Sequence, residues 1–269
     1  MTTDELKDTA YRIRQDILKS LSSAGSGHLG ASLGLADVFT VLYFDEMKLD
    51  VANPKNANRD RLVVSIGHVA PVVYATLAHR GFFPKEELLS LRKMGSRLQG
   101  HVSVQVPGVE VSTGSLGQGL SVAVGMAIAA KMDNCTWRVF SVHGDGELQE
   151  GQNWEAAMTA SAYHLDNLVA IVDRNKVQID GQTETVMPLE PLRKKWEAFG
   201  WRVLECNGNE VADLQRVFEE ARKPAGKPVV ILANTLMGKG VKTIEDDYHW
   251  HGKVPNAEEL ELFLKELAG

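Results

Sequence analysis

Trp137-Arg138-Val139-Phe140-Ser141-Val142-His143-Gly144-Asp145-Gly146 reads as a β-branched, apolar run that breaks at Gly-Asp-Gly. A second such run, Leu168–Val172, leads into Asp173-Arg174-Asn175, which places Asn175 thirty residues after Asp145. Further runs at Leu62–Ile66, Trp201–Leu204 and Val229–Ala233 alternate mostly with segments of helical length, among them Pro71–Arg80, Gly117–Met132, Gln152–His164 and Val211–Arg222. Strands alternating with helices predict an α/β fold, a doubly wound and mainly parallel sheet flanked by helices. Ligands of such sheets sit beyond the carboxyl ends of the strands. His68, Gly144–Gly146 and Asn175 all fall there.

Asp145 and Asn175 together suit a metal–diphosphate clamp. A hard divalent cation takes oxygen ligands, commonly one or two from protein with phosphate oxygens and water completing the shell. Asp145 offers a carboxylate and Asn175 an amide oxygen, while Gly144 and Gly146 leave no side chain between backbone and phosphate. A helix starting near Gly151 would aim free N–H groups at the anion. Gly-Asp-Gly alone more often makes a turn. The asparagine after the second strand is what favours the clamp.

At 269 residues and 44% hydrophobic, the chain has enough apolar material for one large core, and residues 1–269 are expected to form a single domain. A net charge of −6 provides no basic stripe for nucleic acid or an anionic membrane, so any anion must be held locally. The two cysteines, Cys135 and Cys206, lack metal or disulfide spacing. Charges run through Met1–Lys19, and the longest apolar segment, Leu120–Ala130, is too short for a bilayer, so a cytoplasmic location is expected.

Thr2 and Glu5 form a capping-box pattern ahead of Leu6, Ala10, Ile13, Ile17 and Leu21, which predicts a first helix ending at the loop Ser22–Gly27. Asn256–Leu267 reads as a closing amphipathic helix. The helix after Thr113 carries two small-residue rows, Gly117, Ser121, Gly125 and Ala129, and Gly119, Ala123 and Ala127. Glycine costs a helix interior roughly 1 kcal/mol relative to alanine, so something must approach this backbone closely. A tightly packed core and a subunit contact are both open readings.

Seven phrases in order resemble the N-terminal, diphosphate-binding domain of transketolases: Ser26-Gly27-His28-Leu29-Gly30, Asn58-Arg59-Asp60-Arg61-Leu62, Ser65-Ile66-Gly67-His68, Gly100-His101, Ser112-Thr113-Gly114-Ser115-Leu116-Gly117-Gln118-Gly119, Gly144-Asp145-Gly146-Glu147-Leu148-Gln149-Glu150-Gly151 and Trp250-His251-Gly252-Lys253. The resemblance implies thiamine diphosphate with Mg²⁺ or another divalent cation such as Ca²⁺, and transfer of a two-carbon ketol unit between sugar phosphates. It matches Asp145, Asn175 and the Val177 carbonyl to metal ligands and His68 to a diphosphate contact. Gly114, Leu116 and Ile179 match positions lining the cofactor rings. Gly146 belongs to the diphosphate turn. His28, His101 and His251 match substrate-side histidines, a role suited to a side chain that titrates near neutrality. Glu150 and Glu155 match glutamates at a subunit interface that connects paired active sites. Leu29 departs from the proline that many relatives carry there. His79, His164 and His249 gain no role from the comparison, and His143 is expected to pack at a strand end.

In this family a glutamate on a second domain activates the pyrimidine ring. No segment of this sequence matches the pyrimidine-binding or C-terminal domain, so the resemblance implies the N-terminal subunit of a split transketolase. A partner chain would supply the missing domains, in an assembly of two copies of each. The alternatives are the α-subunit of a 2-oxo-acid dehydrogenase, a relative of deoxyxylulose-phosphate synthase, and a non-catalytic cofactor-binding or regulatory paralogue. The paralogue would need only His68 of the four matched histidines.

Overall fold

The computed structural model describes all 269 residues. Strands β1 (Arg61–Val64), β2 (Val139–Gly144), β3 (Leu168–Arg174), β6 (Arg202–Asn207) and β7 (Val229–Asn234) form one sheet in the order β1-β2-β3-β7-β6. Every neighbouring pair is parallel. A short antiparallel pair, β4 (Val177–Gln178) and β5 (Gly181–Gln182), follows Asn175. The helices are α1 (Thr3–Ala24), α2 (Gly30–Gly34), α3 (Ala36–Val41), α4 (Ala70–Arg80), α5 (Gly119–Met132), α6 (Gly151–Ala162), α7 (Thr183–Val186), α8 (Leu192–Ala198), α9 (Val211–Ala221) and α10 (Ala257–Ala268). None is long and apolar enough to cross a membrane.

Alternation along each strand divides the core in two. Phe140 and Val142 of β2, with Val169 and Ile171 of β3, join the cluster formed with α1, α3, α4 and α9. Val139, Leu168, Ala170 and Val172 face the other way, into the cluster with α5, α6 and α8. Burial on both faces fixes the register, because a one-residue slip would send every side chain to the wrong cluster. The first helix is capped by reciprocal bonds between Thr2 and Glu5, and α10 by the same arrangement of Asn256 and Glu259.

Behind the site, Arg14 forms a buried ion pair with Asp37, and its Nε donates to the Leu33 carbonyl at 3.1 Å. Asn209 adds a bond to Asp37 at 3.0 Å, so α1, α2, α3 and the loop after β6 are locked together. The sequence reading assigned no elements to 30–46, where short helices are apolar on all sides and show no helical stripe.

The glycine-rich helix starts at Gly119, two residues later than its pattern suggests, because Gly117 adopts φ +85°, outside the helical region. Its two small-residue rows have different fates. Gly119, Ala123 and Ala127 are buried on the sheet, and a Cβ at Gly119 would overlap Ser65. Gly125 and Ala129 are exposed, with nothing within 4 Å of a Cβ at Gly125, which excludes the core reading for that row. Gly119→Ala is therefore expected to cost about 1–3 kcal/mol through overpacking, whereas Gly125→Leu keeps the chain folded and raises helix propensity slightly. Thermal unfolding followed by circular dichroism separates the two.

Candidate active site

The carboxyl ends of β1, β2 and β3 open into a cavity of about 360 Å³. All twelve residues singled out from the sequence line it: His28, His68, His101, Gly114, Leu116, Asp145, Gly146, Glu150, Asn175, Val177, Ile179 and His251.

The register of β2 on β3 sets Gly144 beside Asp173, and the Asp145 N–H donates to the Asp173 carbonyl at 3.2 Å. Asp145 is 1% exposed and held from all sides. Its Oδ1 accepts from Gly146 N–H at 2.7 Å and from Thr183 Oγ1 at 3.2 Å. Its Oδ2 accepts from Arg174 at 2.8 Å and from Lys176 N–H at 2.7 Å. Arg174 is itself buried and bonds Glu184 and Glu190 at 2.7 and 2.9 Å, tying the following loop to the same carboxylate. Burial raises the Asp145 carboxyl above its ordinary range, against the pull of Arg174. Asn175 donates to Asp173 at 2.8 Å, while its Oδ1 accepts from Val177 N–H at 2.9 Å. Burial, with the Asp145 charge adding to it, pushes the Asp173 carboxyl up to about 7.

Four histidines cluster across the cavity. His28 lies 5.0 Å from His68, 6.0 Å from His101 and 5.6 Å from His251, and His68 lies 5.3 Å from His251, all between ring centroids. Leu29, fully buried, anchors the backbone beside His28 where many relatives have proline. Gly30 permits close contact with Met237 and the Trp250 carbonyl, which brings the 237–251 loop onto the start of α2. The His28 Nδ1 is buried and has no hydrogen-bond partner. Burial, with the neighbouring histidines, lowers His28 to about 4 and His68 to about 3. Arg92 acts in the same direction on His28 and, behind burial, on His101, and burial alone lowers His251.

His143 lies outside the cavity lining, fully buried, with Nε2 2.9 Å from Ser141 Oγ, as a packing role requires. His79 pairs with Asp16, and neither His164 nor His249 reaches the site. The sequence reading missed Glu147, Asp173 and Arg174, although all three lie within the stretches that define the strands and the clamp. Their roles come from contacts that linear spacing does not encode.

Carboxylate, amide oxygen and a histidine cluster at the ends of adjoining parallel strands define a cofactor-binding α/β domain. Residues 6–268 match the family described as transketolase, thiamine diphosphate binding domain. One of the two subunits of the apulose-4-phosphate transketolase of Phocaeicola vulgatus is 44% identical over 268 residues, covering 100% of this chain and 95% of that protein. The 6-deoxy-6-sulfo-D-fructose transketolase subunit SqwG of a Clostridium species is 43% identical, covering 98% of this chain and 96% of its own. Human transketolase is 40% identical over 97% of this chain, which spans 42% of it. The crystal structure of Campylobacter jejuni transketolase superposes with a TM-score of 0.94 at 34% identity, covering 100% of this chain and 43% of that one. The chain belongs to the transketolase family and corresponds to its thiamine diphosphate-binding, N-terminal part, the reading favoured over a dehydrogenase subunit or a deoxyxylulose-phosphate synthase.

The lowered histidines have a measurable consequence. Between about 4 and 6.5 the unfolded chain binds protons at His28 that the folded chain refuses, so stability is present above pH 6.5 and is lost as pH falls. His68 extends the loss toward pH 3. Histidine NMR titration is expected to show both rings neutral at pH 5.5, with unfolding temperature falling in step below pH 6.5.

Proposed function

We propose that this chain is the N-terminal subunit of a thiamine diphosphate-dependent transketolase that moves a two-carbon ketol unit between sugars in concert with a partner chain. One observation carries the reading: the cavity gathers Asp145, Glu147, Glu150 and Asp173 with four histidines, and no lysine or arginine lines it. A bare diphosphate would meet repulsion there, whereas a divalent cation arriving with it would bridge phosphate to carboxylate. The donor set suits such a cation. Asp145, Asn175 and the Val177 carbonyl would supply hard oxygen ligands for Mg²⁺ or Ca²⁺, with the long Thr183 bond the easiest of the four on Asp145 to displace. Gly144 and Gly146 allow the approach, since a Cβ at either would come within 3.1 Å of Ile66 or Gln178.

His68 would donate to a phosphate oxygen, and Gly114, Leu116 and Ile179 would line the rings. When bound, thiamine diphosphate supplies the electron sink for cleaving a carbon–carbon bond beside a carbonyl. His28, His101 and His251 are the chain's own contribution to that chemistry. A neutral imidazole carries one N–H and one lone pair, so each ring can hold a hydroxyl and take or return its proton. The unpartnered Nδ1 of His28 is ready for such a contact. This joint placement favours an enzyme over a cofactor-binding paralogue.

Leu116 and Ile179 are 37% and 63% exposed, so one wall of a ring pocket is present and the other must come from elsewhere. We assign that wall to a partner carrying the pyrimidine-binding domain. The exposed row at Gly125 and Ala129, beside Glu150 and Glu155, is the face for self-association, giving two copies of each chain, in the cytoplasm. The relatives' names include a sugar phosphate and a sulfosugar, and we place the substrate of this chain among sugars with an anionic end, including pentose phosphates.

Asp145→Ala is expected to weaken cation-dependent thiamine diphosphate binding by more than the ~100-fold that losing an outer partner of a metal site costs, and Asn175→Ala by less. Arg174 keeps Glu184 and Glu190, so the first variant stays folded. Calorimetric titration of the assembled enzyme decides, and unchanged affinity in Asp145→Ala removes the assignment. The chain on its own is expected to show no ketol transfer until the partner is added; robust turnover by the homogeneous chain defeats the split reading.

A further inference from the structure

Glu147 lines the cavity, is 2% exposed and forms no bond to a lysine or arginine. Its Oε1 accepts from Gly117 N–H at 2.8 Å and from the Ser65 hydroxyl. Its Oε2 accepts from Gly144 N–H at 3.1 Å and lies 3.3 Å from His143 Nδ1. The Ser65 oxygen in turn accepts from Gly119 N–H at 3.0 Å. Burial alone would raise this carboxyl, but His143, Ser65 and Gly117 outweigh it and hold Glu147 below the ordinary range.

Three segments meet on this side chain. Ser65 leads into Ile66-Gly67-His68, Gly117 closes the turn that holds Gly114 and Leu116, and Gly144 opens the turn of Asp145 and Gly146. Their backbones touch closely, since a Cβ at Gly67 or Gly119 would overlap Thr113 or Ser65. Glu147 is the side chain that bonds all three.

We propose that Glu147 is a positioning residue: its ionised carboxylate holds the ring-side turn 114–119 in fixed relation to the cation-binding turn 144–146 and to His68. The inference rests on the thiamine diphosphate reading above, which makes those turns the two ends of one ligand. The two oxygens face N–H donors on opposite sides, Gly117 and Gly144. A glutamine fills the same volume but must turn its NH₂ toward one of these N–H groups. Size and burial are conserved while one bond becomes a repulsion, so Glu147→Gln separates positioning from space filling.

Hydrogen–deuterium exchange on the chain alone reads the first half. In Glu147→Gln the amides of 115–119 are expected to exchange about tenfold faster or more, as expected when a buried N–H loses an acceptor, while those of β3 and β7 keep their wild-type rates. In the assembled enzyme, calorimetry should show thiamine diphosphate affinity in the presence of Mg²⁺ falling between about 10- and 100-fold, with the sugar KM unchanged. Uniform acceleration of exchange across the sheet, wild-type exchange at 115–119, or a loosened turn with unchanged cofactor affinity would each overturn the proposal. Ser65→Ala is the second variant, should Glu147→Gln fail to fold. It keeps the carboxylate and frees only the Gly119 N–H, so faster exchange is expected at Gly119 with a smaller affinity loss, and no change at Gly119 counts against the network. Absence of cofactor binding in the assembled wild type would instead remove the functional reading, leaving the exchange result to judge Glu147 alone.

Discussion

The alignment of β2 against β3 is the constraint on which the rest depends. Val139 pairs with Leu168 and the register runs unbroken to Gly144 beside Asp173. Two apolar clusters, one on each face, hold that register, because each strand residue has a place in only one of them. The chain leaving β2 therefore starts its turn at the level where β3 ends, and the side chains of Asp145 and Asn175 enter the same cavity. No interaction between these two residues creates the arrangement. It is imposed by the core beneath them, and the bonds from Arg174, Lys176, Thr183 and Gly146 then fix the orientation of a carboxylate already delivered to its place.

Burial then acts on the site with opposite effects on acids and bases. It pushes Asp173 up to about 7 and pulls His28 and His68 down to about 4 and 3. Both shifts remove charge from the cavity, as a low-dielectric environment demands. A cation brought in with an anion reverses part of this, drawing protons from the carboxyl groups and toward the histidines. The chain's own groups thus store little electrostatic repulsion, and its histidines stay neutral, the form able both to donate and to accept.

The strands and the clamp were legible because their signals are local: β-branched runs, a Gly-Asp-Gly break and an asparagine after the next run. The histidine cluster was not legible by spacing, since His28, His68, His101 and His251 come from four separate loops. Only the resemblance of whole phrases brought them together. Glu147 was invisible as a hub because its partners include the backbone N–H groups of residues 117 and 144, which every non-proline residue has. The short helices of 30–46 escaped for a related reason, since a segment buried all round has no amphipathic period to read. The glycine rows illustrate a third limit. The pattern showed that something must come close to the helix, and only the packing shows that the sheet covers Gly119 while nothing in the chain covers Gly125.

The hairpin of β4 and β5 links the two halves of the proposed site. Val177 pairs with Gln182 across it, and Ile179 stands exposed near its tip. The residues flanking this hairpin are bonded to Asp145: Lys176 through its N–H before the first strand, and Thr183 through its hydroxyl after the second. The apolar side chain offered to the outside is therefore mounted on a loop whose two ends are fastened to the carboxylate assigned to the cation. A shift of Asp145 on loading the cation moves both fastenings, so the position of Ile179 depends on the state of the diphosphate end. Partner docking over Ile179 and cofactor binding at Asp145 share one mechanical element, and each biases the other through it.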